Sequence, residues 1–93
     1  MLEVRYENSF KKEYKLALKR KCSRKELFDC ISMLAKEEKL PANYYDHELK
    51  GEWIGFRECH IRGDWLLIYR YQTIENTKVL SLTRLGTHND LFK

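Results

Sequence analysis

The sequence predicts an α+β fold, in which an N-terminal helical hairpin packs on one face of an antiparallel β-sheet in the order β-αα-βββ. The prediction rests on a change of periodicity along the chain. Apolar residues recur at helical spacing before Pro41, and three runs rich in aromatic and β-branched residues follow it. Because 93 residues suffice for one small hydrophobic core, we expect a single domain over residues 1–93.

The helical half is preceded by a short predicted strand at residues 2–6, where apolar and charged residues alternate. Asn8 or Ser9 is expected to cap the first helix, and the Ser23-x-x-Glu26 capping box to open the second. Because only residues 21–22 link the helices, they should lie antiparallel. Their apolar stripes are Phe10, Tyr14, Ala17 and Leu18 in the first helix and Leu27, Cys30, Ile31 and Leu34 in the second.

Three strands are predicted in the second half of the chain, after a polar loop over residues 40–51. They span residues 53–60, 65–71 and 78–85. Arg62 and Gly63 are expected at the centre of the first hairpin turn, because glycine tolerates a positive φ. The second hairpin is expected to have a longer loop over residues 72–77, and Gly86 should end the last strand.

The net charge of +4 is concentrated in residues 11–25, where eight basic residues accompany a single acid, Glu13. Such a run favours a polyanionic partner such as RNA, although a solvated helix face would have the same composition. The basic residues that we consider as RNA contacts are Lys11, Lys12, Lys15 and Lys19.

The cysteines, Cys22, Cys30 and Cys59, are odd in number, and no pair has CxxC spacing. That usage is typical of a reducing compartment, so we expect a cytoplasmic protein. The first residues contain no long apolar run, and no stretch of the chain reaches membrane-spanning length. The sequence therefore predicts neither a signal peptide nor a membrane partner.

All three histidines lie in the second half of the chain, together with side chains suited to RNA cleavage. Imidazoles titrate near neutral pH, so they serve as general acids and bases without special tuning. A guanidinium matches the charge that develops on a phosphate. The candidate set is His47, His60, Asp64, Trp65, Arg84, His88 and Phe92.

Pairing across the two predicted hairpins brings most of this set together. It places His60 opposite Trp65 and Trp65 opposite Arg84, in one row on one face of the sheet. Asp64 would lie beside that row at the turn, and His88 would fold back over it once the last strand ends. A register slip of one residue would turn a strand's side chains to the other face, but the convergence at this end of the sheet would survive it.

Structural roles are the simpler alternative for each of these residues. His60 at a strand end could be a surface histidine, and Arg84 could form an ion pair with Asp64. His47 could likewise be a solvated loop residue, Trp65 a core or edge anchor, and Phe92 a contact that holds the tail. The histidines lack a compact ligand spacing such as HxxxH, and no phosphate-binding glycine loop is present, so we expect neither a metal nor a cofactor.

Four segments in the second half resemble the YafQ branch of the RelE toxin family, in order and with family spacing. They are DHELKGEW at 46–53, FRECHI at 56–61, DWLLIY at 64–69 and RLGTHNDLF at 84–92. Their joint occurrence is specific, and no motif position departs from the family. The first half is similar only in pattern: a strand, a basic helix with a phenylalanine, and a second helix.

The resemblance implies a bacterial type II toxin with a RelE-like fold. Members are endonucleases that cut mRNA in the decoding site of the ribosome, and a cognate antitoxin holds them inactive in a hetero-oligomer. The expected partners are therefore mRNA on the ribosome, ribosomal RNA and an antitoxin. The family's active-site positions fall on His47, His60, Asp64, Arg84, His88 and Phe92, with Trp65 adjoining them.

Chemical roles follow from what RNA cleavage requires, because RNA carries its own nucleophile, the 2′-hydroxyl. His60 or Asp64 would be the general base, and His88 the general acid. Arg84 would hold the phosphate and His47 would help to neutralise its charge, while Phe92 or Trp65 would stack on a base.

Two other classes of function remain open from the sequence. One is a non-enzymatic inhibitor on the same fold, like the ParE toxins, which would not require three histidines beside Arg84. The other is an RNA- or ribosome-binding module whose histidines do no chemistry.

Overall fold

The computed structural model describes residues 1–92, in which five strands form one sheet in the order β1-β5-β4-β3-β2. Lys93, the last residue of the predicted domain, lies outside the described residues. The elements are β1 (Glu3–Tyr6), α1 (Asn8–Lys19), α2 (Arg24–Ala35), β2 (His47–Glu48), β3 (Arg57–Arg62), β4 (Trp65–Ile74), β5 (Thr77–Thr87) and α3 (His88–Leu91). The predicted α+β order is confirmed, with β2 and α3 as additions, and short 3-10 turns at Ala42–Tyr44 and Gly51–Trp53 flank β2.

The sheet is mixed rather than antiparallel. β1 runs parallel to β5, with Glu3 opposite Val79 and Tyr6 opposite Leu82, whereas the other neighbouring strands are antiparallel. The prediction of an antiparallel sheet is therefore wrong for β1. Alternation of apolar residues shows which face of a strand is buried, but it carries no information about partner or direction when the partner is more than 70 residues away.

The second helix begins as predicted. The Oγ of Ser23 accepts a hydrogen bond from the backbone N–H of Glu26 at 3.2 Å, which satisfies one of the unpaired donors at the start of α2. The carboxylate of Glu26 accepts from Arg62 on β3 at 2.8 Å instead of closing the capping box, so it ties α2 to the sheet.

The first helix has no side-chain cap, and the prediction of a cap at Asn8 or Ser9 is wrong. Its N-cap residue is Glu7. The Oγ of Ser9 instead donates to the backbone carbonyl of Thr83 at 2.6 Å. The start of α1 therefore satisfies the edge of β5 beyond the point where β1 ends.

Both hairpin turns differ from the prediction: the first is displaced by one residue, and the second is shorter. Arg62 pairs with Trp65, so Gly63 and Asp64 form the first turn, with Gly63 at φ +56°. In the second hairpin the strands extend through the predicted loop at 72–77 until Glu75 and Asn76, which both have left-handed φ. A two-residue turn of this kind matches the right-handed twist of the strands.

Strand β5 continues through Gly86 to Thr87, against the prediction that Gly86 ends it. Irregular pairing between His60 and Arg62 in β3, and between Ile68 and Tyr69 in β4, also shifts the register. His60 lies opposite Leu66, which lies opposite Gly86, and Ile68 lies opposite Arg84. The predicted row of His60, Trp65 and Arg84 is wrong, because a bulge displaces every pair beyond it.

The two faces of the sheet bury different clusters. The helix face packs against α1 and α2 through a core that includes Phe10, Leu27, Cys30, Leu67, Tyr69 and Leu82. The opposite face, which we call the site face, buries Leu66, Ile68 and Leu91 beneath a rim of Leu49, Trp53, Phe56 and Phe92. Each buried side chain of this size contributes about 1.5–3 kcal/mol, so the site face has its own stabilising core.

Within residues 1–92, aromatic packing joins the two helices, because the rings of Tyr14 on α1 and Phe28 on α2 meet edge to face at 5.8 Å. Cys22, Cys30 and Cys59 are buried free thiols. No helix in this part of the chain is long and apolar enough to cross a membrane.

Candidate active site

Two histidines meet a buried carboxylate on the site face. His47 on β2 lies directly opposite Glu58 on β3, and its Nε2 is 3.6 Å from the Oε1 of Glu58. His60 follows two residues later on the same side of β3, with its Nε2 3.8 Å from the same oxygen. Glu58 is only 5% exposed. A buried carboxylate requires charged or hydrogen-bonding partners, and the two imidazoles lie within ion-pair distance of it, so they pair with its charge when they are protonated.

The loop before β2 fixes the position of His47. Its Nδ1 lies 2.7 Å from the backbone carbonyl of Tyr45, and because a carbonyl can only accept, this nitrogen carries the proton. Asp46 accepts hydrogen bonds from the hydroxyl of Tyr69 at 2.6 Å and from the Nε of Arg57 at 3.3 Å. Burial, reinforced by the bond to Asp46, raises the pKa of Tyr69, so this donor stays protonated.

The third histidine begins α3, which folds back over the site face. Thr87 and Asp90 form a capping box, with the N–H of Thr87 donating to Asp90 at 2.9 Å. Leu91 inserts into the cluster with Leu66 and Ile68. This turn of helix places the ring of His88 5.2 Å from that of Phe92.

Phe92 in turn contacts Trp53, with 6.4 Å between ring centroids. Because Gly86 lies in the row of His60 and Leu66, the chain enters α3 directly beside that row. The structure therefore brings His47, His60, His88 and Phe92 to one face of the sheet.

Arg84 lies in register with Ile68, but its guanidinium is occupied by a residue that the sequence did not indicate. It donates from Nε and from Nη2 to the carboxylate of Glu13 on α1, at 2.9 and 2.8 Å. This hydrogen-bonded pair raises the pKa of Arg84. The suggested structural pairing of Arg84 with Asp64 is wrong, because Glu13 takes that role.

Asp64 and Trp65 stand apart from the other candidates. Asp64 is exposed in the β3–β4 turn, and its side chain makes no hydrogen bond or ion pair with residues 1–92. Trp65 faces the helix layer, where the guanidinium of Arg20 lies 5.0 Å above its ring. Trp65 thus packs against the helices and does not share the face of His60.

The four lysines considered as RNA contacts, Lys11, Lys12, Lys15 and Lys19, are all exposed on α1. Helix α1 packs against β5 at the helix layer. The basic surface is therefore separate from the histidines of the site face, and it is suited to hold a polyanion rather than to contact the reacting bond.

Sequence reasoning missed Glu58 and Tyr45. The alternation of a strand places Glu58 and His60 on one face, which was a usable signal for the carboxylate. Tyr45 gave no periodic signal because it lies in a loop. No group of three His, Cys, Asp or Glu side chains within residues 1–92 has the geometry to hold a metal ion.

Comparisons with known proteins agree with the resemblance seen in the motifs. A family model described as the bacterial toxin of type II toxin–antitoxin system, YafQ, matches residues 2–93. The mRNA interferase toxin YafQ of Escherichia coli strain K12 is 37% identical over 91 residues, which are 97% of this chain and 95% of that protein.

Two solved structures share the fold over almost the whole chain. The metal-bound toxin from Helicobacter pylori has a TM-score of 0.88 and 40% identity, covering 99% of this chain and 100% of that chain. YafQ in the E. coli DinJ–YafQ complex has a TM-score of 0.85 and 35% identity, covering 100% of both chains. By sequence and by fold, this chain belongs to the YafQ family of bacterial type II toxin–antitoxin toxins.

Proposed function

We propose that this protein is an endoribonuclease that blocks translation by cleaving mRNA on the ribosome. The observation that carries the proposal is the placement of His47 and His60 around the buried carboxylate of Glu58, on the face where α3 adds His88 and Phe92. The E. coli relative carries the name mRNA interferase, which supports mRNA as the substrate.

The chemistry begins with the 2′-hydroxyl of the nucleotide on the 5′ side of the scissile bond. Its proton passes to a general base while the oxygen attacks the adjacent phosphorus. The bond from phosphorus to the 5′-oxygen of the next nucleotide then breaks, and a general acid protonates that oxygen. The products are a 2′,3′-cyclic phosphate and a new 5′-hydroxyl end.

His60 is the residue best placed to act as the base. The Nε2 of His60 lies 3.8 Å from the Oε1 of Glu58, beyond hydrogen-bond length, but the nearby carboxylate favours the tautomer with the proton on Nε2, which leaves Nδ1 as the proton acceptor. Asp64, the other candidate, is exposed and has no group to orient it. His47 lies 3.6 Å from the same carboxylate, and we assign it to help neutralise the charge that develops on the phosphate.

His88 and Arg84 take the remaining roles. His88 is exposed at the start of α3, where it can reach the leaving 5′-oxygen as the acid, and Phe92 beside it offers a ring for base stacking. Arg84 neutralises the phosphate. Each acid–base contribution is typically about 10²–10⁴-fold in rate.

The partners follow from charge and from the family. The exposed lysines of α1 would attract ribosomal RNA, which orients the site over mRNA, and translating ribosomes place the activity in the cytoplasm. Because the E. coli relative forms a DinJ–YafQ complex, we propose a cognate antitoxin here too. A partly disordered acidic chain that binds the helical hairpin or an exposed sheet edge would form a toxin–antitoxin hetero-oligomer.

Mapping RNA ends tests the proposal. One mRNA, either free or bound to programmed ribosomes, is incubated with the protein. The new RNA ends are then sequenced and their chemistry is determined. His60→Ala is compared with Thr73→Ala, an exposed change on β4. We expect cuts with 5′-hydroxyl ends on ribosomes only, lost in His60→Ala and kept in Thr73→Ala.

Other outcomes point to other functions. Equal cleavage of free mRNA would refute ribosome dependence. Growth arrest or ribosome binding without any cut would favour a non-enzymatic ParE-like inhibitor or a binding module.

A further inference from the structure

A cleft of about 560 Å³ lies beside His60, on the side away from α3, and the chemistry above leaves it unused. It is lined by Asn43, Tyr44, Tyr45, His60, Arg62 and Gly63 among others. Its size is within the range of sites that bind small organic groups. The lining combines aromatic rings, an amide, and a guanidinium with its partner carboxylate, Glu26, a polar combination that suits a nucleobase better than an apolar ligand.

Tyr45 is the feature of this cleft that packing does not explain. The residue is 66% exposed, and its backbone adopts the left-handed conformation at φ +49°. Non-glycine residues take this conformation at a cost, and such residues cluster at functional sites. The ring of Tyr45 meets His60 edge on, with 5.3 Å between centroids and 66° between planes. The exposed surface of the Tyr45 ring is thus left for a ligand.

The loop holds Tyr45 in place through its neighbours. The next residue, Asp46, is bonded to Tyr69 and Arg57, and the carbonyl of Tyr45 itself accepts from His47. The ring is therefore presented by a fixed backbone, so stacking on it would cost little conformational entropy.

The other walls supply polar contacts. Asn43 is exposed, and its amide offers both a donor and an acceptor, as the edge of a nucleobase requires. Arg62 on the far wall is held by Glu26 at 2.8 Å but remains exposed, so it can also meet a phosphate. Gly63 also lines the cleft, and nothing lies within 4 Å of where its Cβ would be, so this part of the lining leaves open space.

We propose that this cleft binds the base of a nucleotide that flanks the cleaved bond, stacked on Tyr45 and contacted at its edge by Asn43. The inference rests on the proposed function, and it names a specificity site for the same reaction. His60 lines the cleft and is also the candidate general base. A nucleotide held in the cleft would therefore be adjacent to the reacting 2′-hydroxyl.

The test pairs protein variants with mRNAs that lack one base. Programmed ribosomes carry an mRNA with an abasic site at the nucleotide 5′ or 3′ of the mapped cut, and single-turnover cleavage is measured against toxin concentration. The variants are Tyr45→Ala, Tyr45→Phe and Asn43→Ala. Tyr6→Ala is the matched control, because it removes the same side chain from the opposite edge strand, β1.

We expect Tyr45→Ala to raise the half-saturating toxin concentration about 5- to 150-fold, the usual range when a ring that stacks on a base is removed. Tyr6→Ala should behave as the wild type, and Tyr45→Phe, which keeps the ring, should recover most of the affinity that Tyr45→Ala loses. With one of the two abasic mRNAs, wild type and Tyr45→Ala should become equal, because the base that stacks is already absent.

The outcomes separate this inference from the proposed function. If the wild type cleaves but Tyr45→Ala is impaired by the same factor on intact and both abasic mRNAs, no base stacks there and the inference is wrong. If the wild type does not cleave at all, the proposed function fails first. Melting temperatures of all four variants identify any impairment that comes from unfolding.

Discussion

Glu13 on α1 accepts three hydrogen bonds from the end of β5: two from the guanidinium of Arg84, at 2.9 and 2.8 Å, and one from the backbone N–H of Leu85 at 3.1 Å. A guanidinium has five N–H donors. Glu13 uses the Nε edge, which leaves both donors of Nη1 and one of Nη2 directed elsewhere. The carboxylate therefore fixes the plane of Arg84 while an edge suited to phosphate stays available.

Removing this carboxylate should impair cleavage through Arg84. We expect Glu13→Ala to lower the single-turnover cleavage rate on ribosomes by about tenfold or more, since a misplaced clamp costs that much. Glu7→Ala is the control, because Glu7 accepts a bond from the neighbouring Thr83 at 2.9 Å without touching Arg84. Both variants should lose roughly 1–3 kcal/mol in unfolding free energy. Equal rates in the two variants would show that Glu13 is only structural.

Gly86 controls the approach of α3. A Cβ at this position would lie 3.1 Å from the Cβ of Asp90 and 3.2 Å from the Cδ2 of Leu91, both closer than ordinary contact. Gly86→Ala should push α3 outward and displace His88 and Phe92. We expect a loss of about 10- to 100-fold in cleavage rate and about 1–3 kcal/mol in stability. The exposed change Asn89→Ala should do neither, and a fully active Gly86→Ala variant would exclude a positioning role for α3.

The fold was predictable from sequence to the level of element order. Helical spacing around Phe10 and Leu27, and runs such as DWLLIY, depend on burial alone and were correct. Parallel pairing of β1 and the register bulges depend on contacts between distant residues, for which local pattern carries no signal. Helix α3 does have a local signal, the capping box of Thr87 and Asp90, which the prediction from sequence did not use. The irregular pairing between His60 and Arg62 was enough to place Trp65 on the face opposite to His60.

For the candidate site, the sequence predicted most of the residues that lie together but not all of their partners. The positions of His47, His60, His88 and Phe92 on one face survive the wrong register, because β4 still joins β3 to the end of β5, with Leu66 opposite both His60 and Gly86. Glu13 could not be foreseen as a partner of Arg84, since it lies 71 residues away, on a helix whose other charged residues are all lysines.

Acid should weaken the attachment of α3. The hydrogen bond from the N–H of Thr87, and then the bond from Arg20, lower the pKa of Asp90 below its ordinary value. A carboxyl whose folded pKa is lowered stabilises the protein above its unfolded pKa of about 3.9, and this contribution is lost as the pH falls through the folded value. Asp90→Asn should thus melt below the wild type at neutral pH, and the gap should close as the pH falls below about 4. A difference in melting temperature that is the same at neutral pH and below about pH 4 would contradict this linkage.

The exposed lysines of α1 should determine affinity for the ribosome. Lys12→Glu, Lys15→Glu and Lys19→Glu together should weaken binding and lower the slope of log affinity against log salt, by about 0.7–0.9 for each phosphate that the variant no longer neutralises. The melting temperature should change little, because these side chains are exposed. The same reversal at Lys36, Lys39 and Lys50 gives equal net charge elsewhere. If both triple variants show the same slope, net charge alone governs the interaction.

The most direct test replaces the nucleophile itself. Programmed ribosomes receive an mRNA in which the nucleotide 5′ of the mapped cut carries 2′-deoxyribose, and single-turnover cleavage by the wild-type protein is followed beside the all-ribose mRNA. If His60 activates the 2′-hydroxyl and His88 protonates the leaving 5′-oxygen, cleavage at that position should disappear while toxin binding is unchanged. Cleavage of the deoxy-substituted mRNA at an undiminished rate, leaving a 5′-phosphate end, would show that water rather than the 2′-hydroxyl attacks and would contradict the mechanism assigned to these histidines.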